Sequence, residues 1–249
     1  MLKLRIIPLL TFNGFGLVKT KQFLYPRMVG NPVQAARVYN SRGVDELIFL
    51  DISASLQNRK INLKLVADVI KECYMPVGIG GGISSIDDIN NLLKIGADKV
   101  IIKTKAITDK NFINECVSFF GSQCISIAVD AFKKDELYYI HNKLGLTILL
   151  QDFVKDMNIC NVGEFVVNSV DCDGMMNGFD HQLVNELELL SNKPIIAVGG
   201  GGTLAHYNDL FSKTSIQAVG SASIFHFTQF TPLDIKMELE KINKPVRIL

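Results

Sequence analysis

Eight short runs rich in isoleucine and valine punctuate the chain: Leu4 to Leu10, Glu46 to Asp51, Pro76 to Gly80, Lys99 to Lys103, Gln123 to Asp130, Glu164 to Val170, Pro194 to Val198 and Gln217 to Ala222. Each is apolar at nearly every position rather than at alternate ones, the pattern of a strand covered on both faces. Between them lie longer segments, among them Asn31 to Arg42, Asn62 to Cys73, Ser85 to Leu93, Thr147 to Met157 and His181 to Leu190. Their apolar residues return every three or four positions, as on one side of a helix. Strand then helix, repeated eight times in 249 residues, predicts an α/β fold, a single closed (β/α)8 TIM barrel occupying residues 1–249. An open doubly wound sheet is the alternative, but no G-x-G-x-x-G turn follows the first strand.

The pattern also repeats at long range. Glu46 and Glu164 open two similar strands 118 residues apart, Gly81 and Gly201 lie in two glycine clusters 120 apart, and Thr104 and Ser223 follow two strands 119 apart. A period near half the chain is too long for a solenoid and predicts two (β/α)4 halves related by a pseudo-twofold axis.

Composition narrows the possible partners. The 26 basic and 25 acidic residues leave a net charge of +1, with no long basic run, which disfavours a nucleic acid or an anionic membrane surface. No apolar stretch reaches the ~18 residues of a membrane span, and the chain opens into Leu4-Arg5-Ile6-Ile7 without a signal-peptide pattern, so a cytoplasmic protein is expected. Five scattered cysteines, with no C-x-x-C pair, predict neither disulfides nor structural zinc. His141, His181, His206 and His226 lack ligand spacing, so no metal and no cofactor is expected.

Chemistry in a barrel collects at the C-terminal ends of its strands. Gly81 and Gly82 with Lys103 and Thr104 would form one phosphate cradle; Gly200 and Gly201 with Ala222, Ser223, Asp173 and Gly174 would form its counterpart. The glycines could instead serve only tight turns, but two clusters at matching offsets favour a ligand with a phosphate at each end. Asp130 ends the fifth strand, and the offset of 119 maps it onto Thr11 at the end of the first. A pair of carboxylates there would suit general acid and base work, and only one is present. Asp51 is a second strand-end candidate. At the opposite end, Arg5, Glu46, Lys99 and Glu164 each stand at a strand start, where they would form either a salt-bridged plug or a gate.

Several segments together resemble one family: Arg5-Ile-Ile-Pro8, the run Glu46 to Ser55, Gly80-Gly-Gly-Ile83, Gly96-Ala-Asp-Lys-Val100, Phe120-Gly-Ser-Gln-Cys124, Asp171-Cys-Asp-Gly174 and Ala222-Ser-Ile-Phe-His-Phe227. They are similar, essentially end to end, to the cyclase subunit of imidazole glycerol phosphate synthase. The resemblance implies a twofold-repeated barrel that docks a glutaminase subunit on its floor and passes ammonia to a bisphosphorylated substrate at its mouth. It makes the Arg5, Glu46, Lys99 and Glu164 ring an ammonia gate, and places Asp98 and Gln123 at the glutaminase-facing side. It assigns Asp130 as one of two catalytic aspartates, and Lys19, on a flexible first loop, with Asp51, Asn168 and Ser169 to the substrate.

By the same resemblance Thr11 stands where the second aspartate belongs, Lys103 where asparagine is usual, and the His141 to Leu146 loop lacks paired glycines. The stretches Gly16 to Thr20, Tyr25 to Arg27 and Val29 to Pro32 are similar to a divergent branch found with a glutaminase-like partner and a sugar amidotransferase in surface-polysaccharide pathways. The resemblance therefore implies an ammonia-accepting subunit of that kind, with the histidine-pathway cyclase, a lyase, as the alternative. A scaffold that merely binds a phosphorylated signal is a third possibility.

Overall fold

The computed structural model describes residues 2–248. In chain order the strands are β1 (Arg5–Phe12), β2 (Leu17–Lys21), β3 (Leu24–Gly30), β4 (Leu47–Asp51), β5 (Val77–Gly80), β6 (Lys99–Ile102), β7 (Ile125–Lys134), β8 (Leu137–Ile140), β9 (Glu164–Ser169), β10 (Ile195–Val198) and β11 (Ala218–Ser221). The helices are α1 (Pro32–Ser41), α2 (Leu63–Ile70), α3 (Ile86–Lys94), α4 (Thr104–Thr108), α5 (Lys110–Phe120), α6 (Leu150–Ile159), α7 (His181–Leu190), α8 (Leu204–Lys213), α9 (Ser223–Phe227) and α10 (Pro232–Lys241). Strands β1, β4, β5, β6, β7, β9, β10 and β11 pair in parallel in that order, and β11 returns to β1, closing the barrel.

Side chains on successive strand positions point alternately inward and outward, and this divides the apolar residues into two separate clusters. Ile7, Leu9, Ile48, Ile101, Val166, Ile196, Val198 and Ala218 fill the interior. Ile6, Leu10, Phe49, Ile79, Val129 and Phe165 face outward into a larger cluster shared with the helices. Several helices begin at side-chain caps: Ser85 and Asp88 form a capping box on α3, and Thr231 with Asp234 form another on α10, where Pro232 occupies the first turn.

The twofold repeat is written into the register. Around the mouth Thr11 pairs with Leu50, Leu50 with Gly80, and Gly80 with Ile101. In the second half Asp130 pairs with Asn168, Asn168 with Val198, and Val198 with Gly220. The offsets are 118 or 119 throughout, so Gly81 corresponds to Gly199 and Gly82 to Gly200, two residues short of the Gly201 that a spacing of 120 pairs with Gly81. A run of four glycines from Gly199 to Gly202 carries no side-chain pattern from which to choose the register.

Three strands depart from the expected eight. β2 and β3 form an antiparallel hairpin after β1, and β8 folds back on an extended β7. Both tips turn through left-handed residues other than glycine: Gln22 (φ 49°) and Phe23 (φ 63°) in one, Asp135 (φ 48°) and Glu136 (φ 64°) in the other. Gln123, expected at a strand start, lies in a 3-10 turn over Ser122–Cys124, and Glu46 and Lys103 fall one residue outside β4 and β6.

Candidate functional site

At the floor of the barrel the four predicted charges meet. Arg5 Nη1 lies 2.6 Å from Glu46 Oε2, and its Nη2 pairs with Glu164 Oε1. Lys99 Nζ lies 2.7 Å from Glu164 Oε2 and 2.8 Å from Glu46 Oε1, although the latter approach is too poorly aligned for a hydrogen bond. Cation and carboxylate alternate in a closed four-membered ring. Burial opposes the charge on Arg5, but Glu164 and Glu46 outweigh it and raise the guanidinium further above its ordinary value. The geometry is that of a plug, and above it the interior cluster carries the bore upward through aliphatic side chains.

Asp98 and Gln123 are exposed on the same face; Asp98 Oδ2 also accepts a bond of 2.8 Å from the Val77 amide. On that face the last turns of α5 and α7 and the segments entering the strands leave large apolar side chains in solvent, including Tyr74 (93% exposed), Leu189 (89%), Leu2 (72%) and Phe119 (69%). A groove of about 510 Å³ runs along Lys3, Arg5, Pro194 and Gln217 at the edge of the ring.

At the mouth the two halves differ. The Thr11 hydroxyl donates to the Val18 carbonyl of β2 and so ties the hairpin to β1. Asp130, at the twofold-related position, pairs with Lys103 Nζ. Lys103 precedes α4 with φ −119°, ψ −72°, and Ala222 precedes α9 with φ −132°, ψ −60°. Neither helix start receives a side-chain cap, so both leave amides facing the mouth. The glycine turns match as well: Gly81 and Gly199 have φ of 120° and 92°, Gly82 and Gly200 of 67° and 102°. At Gly200 a Cβ would fall 1.9 Å from the Gly178 carbonyl, so the turn excludes any side chain as well as leaving its backbone open. Gly201 has no left-handed φ; the Tyr207 hydroxyl, bonded to Ser221 Oγ at 2.7 Å, occupies the space beside it.

Several predicted residues serve the site indirectly. The enclosed Asp51 carboxylate takes Arg59 Nη1 at 2.6 Å and Nη2 at 2.9 Å, and accepts the amides of Ser53 and Ala54 at 3.2 and 3.1 Å. It therefore organises the loop after β4 rather than presenting oxygens to a ligand. Lys19 is not on a loose loop: it lies in β2, is 8% exposed, and reaches Asp173 Oδ1 at 2.5 Å, while Thr20 Oγ1 donates to Asp173 Oδ2 at 2.9 Å. Asp173 and Gly174, expected at the second phosphate, thus clamp the first-half hairpin onto the second half. Ser169 Oγ donates to Asp180, the cap of α7, at 3.1 Å. By contrast, Asn168 Oδ1 and Ser223 Oγ are buried with no hydrogen-bond partner among the described residues. Buried polar atoms are normally satisfied, so these two point to a ligand.

Arg59 and Phe23 escaped sequence reading. Arg59 lies in a loop without a motif. Phe23 sits at an unrecognised hairpin tip, where its ring meets His141 edge-on at 5.1 Å and lies 5.8 Å from Lys103 Nζ.

No helix among the described residues is long and apolar enough to cross a membrane. The profile of a family described as histidine biosynthesis protein matches residues 5–231. Among similar proteins, the imidazole glycerol phosphate synthase subunit HisF of Staphylococcus carnosus is 41% identical, with 99% of each chain covered. The protein of that name from Streptococcus mutans is 39% identical over 99% of this chain and 100% of its own. The one from Natranaerobius thermophilus is 37% identical over the whole of both. With a closed barrel, a doubled mouth and a ring of charges beneath it, the chain belongs to the histidine biosynthesis protein family.

Proposed function

We propose that this chain is the ammonia-accepting barrel of a glutamine amidotransferase of the imidazole glycerol phosphate synthase type, with a HisH-like glutaminase docked on its floor. The observation that carries the reading is the closed ring of Arg5, Glu46, Lys99 and Glu164 beneath an aliphatic bore. Neutral ammonia loses little on entering such a bore, whereas ammonium would pay a large desolvation cost. A ring that parts for one and binds the other suits a gate. The exposed Tyr74, Phe119 and Leu189 beside Asp98 and Gln123 suit a protein partner at that face.

At the mouth, the doubled glycine turns and the unpartnered Asn168 and Ser223 suit a phosphorylated small molecule. The relatives' shared name favours the synthase activity itself, a lyase reaction that closes an imidazole ring in histidine biosynthesis, with Asp130 handling protons. That reading has the wider support. A second one, delivery of ammonia onward to a sugar amidotransferase in surface-polysaccharide synthesis, is favoured by Thr11 at the position twofold-related to Asp130 and by the Lys103 ion pair on Asp130.

One assay separates them: turnover of the bisphosphorylated intermediate by the purified chain with excess ammonia, for wild type and Thr11→Asp. Wild-type turnover of roughly 1 s⁻¹ or faster supports the lyase. An inert wild type that Thr11→Asp revives supports onward delivery. For the gate, Lys99→Ala in the glutaminase complex should release ammonia without transfer; strictly matched hydrolysis and transfer in that variant would remove the channel from the account.

A further inference from the structure

The half of the mouth that holds Asp130 contains a second group able to carry a proton. β8 brings His141 back over the end of β7, where its backbone amide donates to the Asp130 carbonyl at 2.7 Å. The imidazole is wedged between Phe23 of the hairpin tip, at 5.1 Å, and Phe132 of β7, at 6.5 Å, each ring edge-on. Its Nδ1 is buried and has no hydrogen-bond partner among the described residues. Lys103, already paired with Asp130, stands on the near side of the same Phe23 ring. The charged groups acting on His141 are Lys103 from the end of β6, Asp130 from β7 and Lys143 from its own loop. Burial lowers the imidazole's proton affinity, Lys103 and Lys143 lower it further, and Asp130 opposes them, with a net shift below the ordinary value. The ring is therefore neutral at neutral pH and holds a lone pair.

We propose that His141 is the proton-transfer partner of Asp130 at this mouth, supplying the function that the Thr11 hydroxyl, committed to the Val18 carbonyl, does not. The proposal rests on the lyase reading above. When ammonia adds to an acceptor carbonyl, a C–N bond forms, the C=O π pair moves to oxygen, and the new nitrogen must shed a proton. The His141 lone pair takes that proton. The imidazolium then gives it to the alkoxide oxygen, leaving a neutral carbinolamine. A second transfer of the same kind moves another proton from nitrogen to that hydroxyl as the nitrogen pair forms C=N and the C–O bond breaks, so that water departs and His141 ends neutral. Asp130, paired with Lys103, lies beside the imidazolium that forms in between. Phe23 covers one side of the imidazole and so limits proton exchange with bulk water there.

The test uses the full chain, the bisphosphorylated intermediate and saturating ammonia, with rates expressed against un-ionised ammonia at each pH. His141→Gln keeps the backbone bond to Asp130, and its thermal unfolding should match wild type. We expect kcat to fall by about 10²- to 10⁴-fold, the range of a lost general base. The acid limb of the pH profile should vanish in the variant, and free imidazole should restore part of the rate, neither of which a packing role would produce. If His141→Gln turns over within threefold of wild type with its acid limb intact, the inference is overturned and the lyase reading stands. If wild type itself is inert, the lyase reading fails and takes the inference with it.

Discussion

Replacing Lys99 by methionine keeps most of the side chain's length while deleting one charge from the floor ring. Lys99 lies 2.7 Å from Glu164 and 2.8 Å from Glu46, with side-chain exposures of 14%, 9% and 3%. The variant would leave two enclosed carboxylates facing one guanidinium. Removing one member of a buried ion pair costs about 3–5 kcal/mol, most of it the stranded charge. Because Arg5 still reaches both glutamates, the lower end applies, about 3 kcal/mol. For a chain of 249 residues the urea m-value falls near the top of the usual range, about 3 kcal/mol/M, so the urea midpoint should drop by about 1 M. Adding Glu46→Gln removes one charge of each sign and leaves the Arg5–Glu164 pair, so the double variant should be more stable than Lys99→Met alone. A single variant within about 0.3 M of wild type, or a double variant less stable than the single, would refute the account of the ring as a mutually neutralised unit.

Other expectations follow from the mouth and the histidines. Asp173→Asn strands Lys19 in a buried position and should cost about 3 kcal/mol, with proteolysis after Lys19 or Lys21 markedly faster than in wild type. Unchanged cleavage would mean the hairpin is held by other contacts. Gly200→Ala forces a side chain against the Gly178 carbonyl at φ 102° and should cost at least about 2 kcal/mol, as read by chemical denaturation. His181 and His226 both have proton affinities lowered by burial, with Lys213 and Lys19 respectively adding to the effect. The unfolded chain therefore binds protons more readily, so stability is complete above the ordinary histidine value of 6.5 and is lost as pH falls below it. The thermal midpoint should decline between about pH 7 and 5.5, less steeply in His226→Gln; a flat profile would contradict the shift.

The eight barrel strands were legible because each is apolar on both faces, and the floor ring because charges at four strand starts stand out against such runs. The hairpins were not. Their turns use Gln22-Phe23 and Asp135-Glu136 in left-handed conformations that sequence patterns reserve for glycine and asparagine. Tyr25-Pro26-Arg27 within β3 also breaks the alternation that marks a strand. Missing the first hairpin concealed why Asp173 is buried, since its partner Lys19 was expected on a loose loop. The Asp51–Arg59 pair was hidden for another reason: seven residues of irregular loop lie between the two, and only the fold brings them together.

The floor ring also bears on how two half-barrels became one chain. Under the offsets of 118 and 119, Glu46 corresponds to Glu164, but Lys99 corresponds to Ala218 and Arg5 to Cys124. Both cations thus come from the first half, and the second contributes only a carboxylate. Two copies of the first half would bring four cations to two glutamates; two copies of the second would bring two glutamates and no cation. Only the unlike pairing is neutral. The ring therefore works as an identity check between the halves, favouring their union in cis over self-association of either. A barrel rebuilt by duplicating one half would have to restore this complementarity before its floor could close.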